Sequence, residues 1–588
     1  MGTISDKLMR IINTKEDIRQ ALISKGYDVP TSIPFKEYAK MILDLPCKVD
    51  SFPDIEGIVA RYSASGLTNE QMAANPVWVD KTGNGHDIQL KNFSWKGMSG
   101  VGGYEMNFNL WRNNVSSIPD ISMSTTTTSV SVSVGNSTYN NNLIYIHISN
   151  WDINKNHWLK VTSTYEDGDL AFIFYNDSNT KKIGLPANGY VNILAYPEFK
   201  GSYMYISTIS NKQGSFTIEQ LPLYPGALVF DGVDDWAGCD NLPLLPKEKG
   251  YSIIALRNWI TRYDATKYKR PLISNLDTND EGAFLIEYRK DENVNDVTGS
   301  YNSFTDVYID DNNPITWQTS SSYNGQIIKK GTSKSTNKLC ICKTYFGQLS
   351  NYVNAAIWEI VILDHDATEE ELIKIKDYFV KTYPWLFPDK AWTVTGKTNE
   401  DEDRATIANI TGNGNDLVLS NFGFAEGSGY NEEGEYAGYL VTDGVDDKII
   451  SSIFKMGNDW TVIGDWELIN TGKNDNAGIV KFDSIVIYNY NYNYNSMLIN
   501  IKNGRNILIP DQNTVNAICS DGRIYSKDWK ESIYNEETES TSKNFLTIGY
   551  SGNAYTKIAF KNLAIYPTVL SREDCIKAYN YLQTLKAK

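Results

Sequence analysis

The first 46 residues place apolar side chains at helical intervals. Leu8, Ile11 and Ile12 follow a capping Ser5, while Ile18, Leu22 and Ile23 follow Thr14-Lys-Glu-Asp17 and stop at Gly26. Phe35, Tyr38, Ala39, Ile42 and Leu43 follow Pro34, a residue suited to a first helical position. The spacing predicts three short helices. So small a helical segment buries too little surface to stand alone, so it is expected to dock onto something else. From Gly57 the texture becomes that of β-strands: short apolar or alternating runs punctuated by Gly, Asn and Asp. Strands are expected at 58–62, 129–134, 143–148, 170–175, 203–207, 356–363 and 559–566. The last two are each followed by a capped helix, opened by Thr368-Glu-Glu-Glu371 and by Ser571-Arg-Glu-Asp574.

Several phrases occur twice. Asp231-Gly-Val-Asp-Asp235 returns as Asp443-Gly-Val-Asp-Asp447, Thr82-Gly-Asn-Gly85 as Thr411-Gly-Asn-Gly414, and Asn92-Phe-Ser-Trp95 as Asn421-Phe-Gly-Phe424. One β-module is therefore written twice. The spacing differs between the copies, 149 residues from Thr82 to Asp231 against 32 from Thr411 to Asp443, so the first copy carries 117 more. They are placed between about 105 and 221, where the alternating runs read as a small β-sandwich of their own. Insertion at a turn is tolerated when the inserted unit's two ends lie close together. Between the copies, Tyr383-Pro-Trp-Leu-Phe-Pro388 is a stiff aromatic joint, expected to pack one module on the other.

Composition narrows the function classes. A formal charge of −16 repels phosphate backbones and no basic patch offsets it, which argues against nucleic-acid partners. No apolar run is long enough for a membrane span, and the amino terminus lacks a secretory pattern, so the expectation is a protein made and folded in a cytoplasm. Its six cysteines are scattered without metal-ligand spacing and read as reduced structural thiols.

Two resemblances add to this. The pattern Lys7-Leu8, Thr14-Lys15, Ile18, Ala21, Lys25-Gly26, Pro34-Phe35 and Tyr38-Ala39 looks like the N-terminal helical segment of tailed-phage appendage proteins. That likeness implies an attachment or assembly element carried by Leu8, Ile12, Ile18, Leu22, Phe35 and Tyr38. The repeated turns and the final strand-helix pair resemble laminin-G-like or concanavalin-like jelly rolls. That family implies stacked antiparallel sheets that are frequently carbohydrate-binding, occasionally catalytic and often structural. The expected fold is thus mainly β: a helical attachment segment at 1–46, a first jelly roll at 50–387 with an inserted β-domain at about 105–221, and a second at 388–588.

Candidate chemistry is sparse. Polysaccharide-cleaving enzymes of this fold need two carboxylates facing one groove. The nearest match is Asp465-Trp-Glu467 on a strand, read here as a solvated face, and no catalytic residue is assigned. Glu359 and Asp364 read as surface charges, and four separated histidines form no triad or metal set. Ca²⁺ favours clustered carboxylates, which makes Asp231, Asp234, Asp235, Asp443, Asp446 and Asp447 weak ligand candidates; the favoured reading has them bonding backbone amides of a tight turn. No other cofactor is expected. In Tyr488-Asn-Tyr-Asn-Tyr-Asn-Tyr-Asn495, a strand would line Tyr488, Tyr490, Tyr492 and Tyr494 along one face, either to stack on sugar rings or to lie half buried.

The expectation is a virion appendage of a tailed phage, a head or tail fibre or decoration, and not an enzyme. Its partners would be capsid or tail proteins, further copies of itself in a trimer or dimer, and a host surface glycan. The alternatives are a tail-spike polysaccharide depolymerase, hydrolase or lyase, and a bacterial surface lectin.

Overall fold

The computed structural model describes residues 52–104, 112–113, 121–135, 146–149, 157–175, 180–193, 203–208, 213–245, 250–260, 270–274, 284–288, 302–305, 314–319, 338–343, 352–434, 436–469, 478–482, 485–490, 496–501, 505–509, 515–526, 529, 531–533, 546–551 and 554–587. The attachment residues Leu8, Ile12, Ile18, Leu22, Phe35 and Tyr38 lie outside them. The fold is mainly β, built from sheets that are antiparallel but for one parallel pair among the described strands, Phe284–Tyr288 with Asn302–Thr305, and with few helices, as the alternating runs predict.

In the first module a 6-stranded sheet centres on Asn354–Leu363, which pairs with Ser252–Trp259, Leu228–Asp231 and Ile58–Ser63. A 7-stranded sheet running from Val77–Trp78 to Asn302–Thr305 faces it. Both faces of Asn354–Leu363 are buried, since Leu228, Phe230, Ile360 and Ile362 pack one way and Trp358, Val361 and Leu363 the other. That explains the unbroken apolar run in a strand of an antiparallel sheet. The second module repeats the plan: Ile558–Tyr566 pairs with Thr461–Leu468, Leu440–Val441 and Lys390–Thr393, opposite a second 8-stranded sheet. Described strands between Ile121 and Gln220 form two further small sheets, of five and three strands, and Ile146–Ser149 pairs with Arg112–Asn113. Their ends are held together where the Leu223 and Tyr224 amides donate to the Gly103 and Gly102 carbonyls at 3.0 and 2.8 Å.

Both modules close with a helix laid on the outer face of the central sheet. Glu369–Thr382 begins with a capping box in which Thr368 and Glu371 satisfy each other's backbone amides, and Arg572–Leu582 begins at Ser571. Between the modules Pro384–Leu386 forms a 3₁₀ turn that buries Trp385 and Leu386. Cys239, Cys340, Cys342, Cys519 and Cys575 are free and buried. Among the described residues no helix is long and apolar enough to cross a membrane.

Candidate functional site

The two acidic turns are built alike. In the first, Asp231 Oδ1 accepts from the amides of Val233, Asp234 and Asp235 at 2.7, 3.3 and 3.4 Å, and Asp235 Oδ2 accepts from the Asp231 amide at 3.0 Å. In the second, Asp443 Oδ1 takes the amides of Val445, Asp446 and Asp447 at 2.7, 3.2 and 3.3 Å, and Asp447 Oδ2 takes that of Asp443 at 2.8 Å. Gly232 has φ +75°, and a Cβ there would stand 2.8 Å from that of Asn354, so the turn requires glycine. Each triad brings carboxylate oxygens within 4.8 Å of one another, a spacing able to hold a cation, while the bonds present are those of a turn. Burial pushes the Asp235 carboxyl up to about 7 and that of Asp447 to about 6.

Against each turn lies an aromatic loop whose two halves were matched in the sequence without a role. The Asn92 and Asn421 side-chain amides donate to the carbonyls of Asp234 and Asp446, both at 3.0 Å. The Ser99 hydroxyl accepts from the Ser94 amide at 2.8 Å and donates to Asp235 Oδ1 at 3.0 Å. In the second copy Ser428 accepts from the Gly423 amide at 2.8 Å; Asp447 Oδ1 is buried beside that hydroxyl without a well-formed bond. The loops force non-glycine residues into the left-handed region: Asn92 at φ 67° and Trp95 at 56°, Asn421 at 70° and Phe424 at 49°. For a bulky side chain that conformation costs about 1–2 kcal/mol. Close packing behind the aromatic holds it there, because a Cβ on Gly100 or Gly429 would fall 3.2 or 2.9 Å from the Cα of Trp95 or Phe424. Asn69 and Asn399 brace the next residue, accepting from the Val101 and Tyr430 amides at 2.7 and 2.8 Å.

Each loop thus presents a half-buried aromatic at its tip. Trp95 stacks on Phe93 with centroids 4.9 Å apart; Phe424 lies 6.4 Å from Tyr430, and the Arg404 guanidinium carbon sits 5.1 Å from its ring centre. Val233 and Val445, at the tips of the adjoining turns, are 71% and 67% exposed. The sequence signal for this platform was the repeated Asn-Phe-x-aromatic phrase; that it meets the acidic turn follows only from the sheet pairing.

Two expectations about carboxylates are corrected. Glu359 is not a surface charge but fully buried, where it accepts from the Tyr383 and Tyr378 hydroxyls at 2.8 and 3.2 Å and pairs with Arg61 at 3.4 Å. Asp465 is not on a solvated face either: it is 8% exposed and accepts from the Tyr439 hydroxyl at 3.1 Å and Gln583 Nε2 at 3.0 Å. Val462, Trp466 and Leu468 of its strand face the module interior, which turns Asp465 and Glu467 together towards Tyr439 and Tyr579. Burial first, and then the Asp465 charge, push both tyrosine hydroxyls upward.

The remaining predicted positions are placed more simply. His86 is a turn residue, donating its amide to Asp80 at 3.3 Å and accepting the Tyr62 hydroxyl at 2.6 Å. His365 bridges Asp364 and the half-buried Glu371 at a helix start, at 3.1 and 3.2 Å. Tyr488 and Tyr490 lie on the strand Ile485–Tyr490, opposite Leu498 and Ser496; Tyr492 and Tyr494 fall outside the described residues.

No protein-family model matches the chain, and no curated protein matches it. Solved structures similar to it include domain 4 of an extracellular arabinanase from Geobacillus stearothermophilus in complex with arabinotriose, 12% identical over 33% of this chain and 98% of that one, TM-score 0.19. The receptor-binding domain of botulinum neurotoxin type G is 11% identical over 33% of this chain and 50% of its own, TM-score 0.20. A Trypanosoma rangeli sialidase in complex with sialic acid is 8% identical over 84% of this chain and 98% of its own, TM-score 0.22. With Asp465 and Glu467 sharing a face, contrary to the solvated strand on which the expectation rested, the expectation that the chain is not an enzyme is withdrawn. At these scores the activities named remain those of the other proteins.

Proposed function

We propose that the chain is a carbohydrate-handling protein whose paired sandwiches hold glycan on their strained aromatic loops, displayed as an appendage of a tailed-phage virion. The observation that carries the glycan reading is the loop itself. Two modules of different length and sequence each spend backbone strain to hold a half-buried aromatic, Trp95 or Phe424, beside an exposed Asn and an acidic turn. A flat apolar ring ringed by fixed hydrogen-bonding groups is the chemistry a sugar ring asks for. The attachment role of 1–46 and an association into trimers or dimers rest on the sequence likeness and belong to the same proposal. Retention of the full chain on immobilised host surface polysaccharide tests it. Trp95→Ala combined with Phe424→Ala is expected to lower retention at least about tenfold, equivalent to ~1.4 kcal/mol, with the melting transition still cooperative. Unchanged retention by that folded variant overturns the reading.

A second reading, cleavage of the glycan, is favoured by a separate observation: Asp465 and Glu467 face Tyr439 and Tyr579 together. Release of new reducing ends from host polysaccharide, abolished by Asp465→Asn, would establish it.

A further inference from the structure

An arginine lies over the aromatic ring of the second loop, and we infer that the second sandwich takes a carboxylate-bearing sugar, its acid group received by Arg404 and its ring by Phe424. The inference rests on the glycan reading and assigns a substrate class to one of the two loops. Arg404 lies on the bend after Asp401, half-buried in a chain of net charge −16, where the default fate of an arginine is an ion pair. It has none among the described residues. Its Nη1 donates to the Asp401 carbonyl at 3.3 Å, its own carbonyl accepts the Tyr430 hydroxyl at 2.7 Å, and its guanidinium plane is held over Phe424 at 5.1 Å.

Two of the carboxylates beside it are committed elsewhere. Asp401 accepts from the Thr398 amide and hydroxyl, both at 2.9 Å, and Asp403 pairs with Lys397 at 2.6 Å. What remains is a cation fixed by stacking and by a backbone bond, with the rest of its planar donor fork turned to a half-open surface. That fork matches a carboxylate in a two-point arrangement, which a lysine cannot reproduce. Asn421, exposed on the same loop, spends its side-chain nitrogen on Asp446 and leaves its carbonyl oxygen to accept a sugar hydroxyl. The corresponding stretch of the first module, Asn69-Glu-Gln-Met-Ala-Ala-Asn-Pro76, holds no arginine or lysine, and although Lys96 is exposed beside Trp95, among the described residues no cation lies over the Trp95 ring, so a cation held over the aromatic belongs to the second copy.

The test uses the full chain with a galacturonate oligomer and the same oligomer as its methyl ester, which keeps the ring and removes the charge. The acid is expected to bind at least tenfold tighter than the ester, by titration calorimetry at low salt. Arg404→Gln should erase that preference, and Arg404→Lys should restore only part of it. Equal binding of acid and ester, or a preference that survives Arg404→Gln, overturns the inference while leaving the glycan reading intact. Binding of neither probe also overturns it, and retention on host polysaccharide then decides the glycan reading by itself. Melting curves of both variants confirm that the comparison is between folded proteins.

Discussion

At the end of each acidic turn a carboxylic acid is folded out of water, and this has a consequence for stability. Asp235 and Asp447 are fully buried, and burial outweighs their turn bonds, raising the carboxyls to about 7 and about 6. In the unfolded chain both titrate near 3.9. Between those values the folded protein keeps a proton that the unfolded chain has released, so stability falls with rising pH. The contribution is fully present below about 4 and is lost as pH climbs through about 6 for Asp447 and about 7 for Asp235. The prediction is a melting temperature that declines between about pH 4 and pH 7, with a shallower decline in Asp235→Asn and shallower still with Asp447→Asn added. Asparagine suits the site because Ser99 can accept its amide while its carbonyl takes the Asp231 amide. An unchanged slope in the double variant would rule out these two acids as its source. The turn was legible in the sequence, since Asp after Gly is how a chain writes one; the proton it holds was not, because only the sheet packed over it sets the burial.

At the level of elements, the link between the helix Glu369–Thr382 and the strand Asn354–Leu363 runs through one buried carboxylate. Glu359 gathers the hydroxyls of Tyr378, on the helix, and Tyr383, just past its end, while Arg61 from the neighbouring strand pairs with it and donates to the Tyr378 hydroxyl at 2.9 Å. Phe52 covers the guanidinium, 4.2 Å away. Removing one partner from such a network strands a buried charge, which costs about 3–5 kcal/mol, more than an exposed ion pair is worth. Glu359→Ala should therefore lower the unfolding free energy measured by denaturant titration by about that amount. Glu359→Gln, which keeps an acceptor for the tyrosines and loses only the charge, should cost less; equal losses would show that shape, not charge pairing, governs the site. The sequence announced both elements, from the apolar run of the strand to the Thr368 cap of the helix. It could not announce the network, because a lone Glu in an apolar strand looks the same whether its face meets water or meets Tyr378, Tyr383 and Arg61. Asp465 was misread for the same reason, its partners Tyr439 and Gln583 lying 26 and 118 residues away.

Across the whole molecule the modules meet on one apolar seam. Trp158 from the inserted sheets packs edge-on against Trp529 and Tyr579 of the second module, with centroids 6.0 and 5.3 Å apart, and Arg572 reaches over Tyr190 at 5.3 Å. Trp385 of the joint is buried in the same cluster, and its carbonyl takes the Tyr566 hydroxyl at 3.0 Å. Polar bonds cross as well, from Asn258 to Thr584 at 3.2 Å. The joint was legible as an aromatic stretch between two copies of one module. The insert's contact was not, since nothing in the repeat marks Trp158 as facing anything beyond its own sheet. The seam implies that the aromatic loops are carried on a stiff frame, and the glycan reading proposed above then predicts that the two loops act together on one chain. Trp158 is the test of that stiffness, because truncating a buried Trp costs about 3–5 kcal/mol where it packs. In Trp158→Ala, hydrogen exchange should quicken along His157–Ser163 and Arg572–Leu582, the two sides of the contact, while Ile558–Tyr566 inside the second module stays protected. Retention on polysaccharide should weaken in the same variant although neither Trp95 nor Phe424 is touched. Faster exchange without any loss of retention would mean that the two loops bind independently and that the frame only displays them.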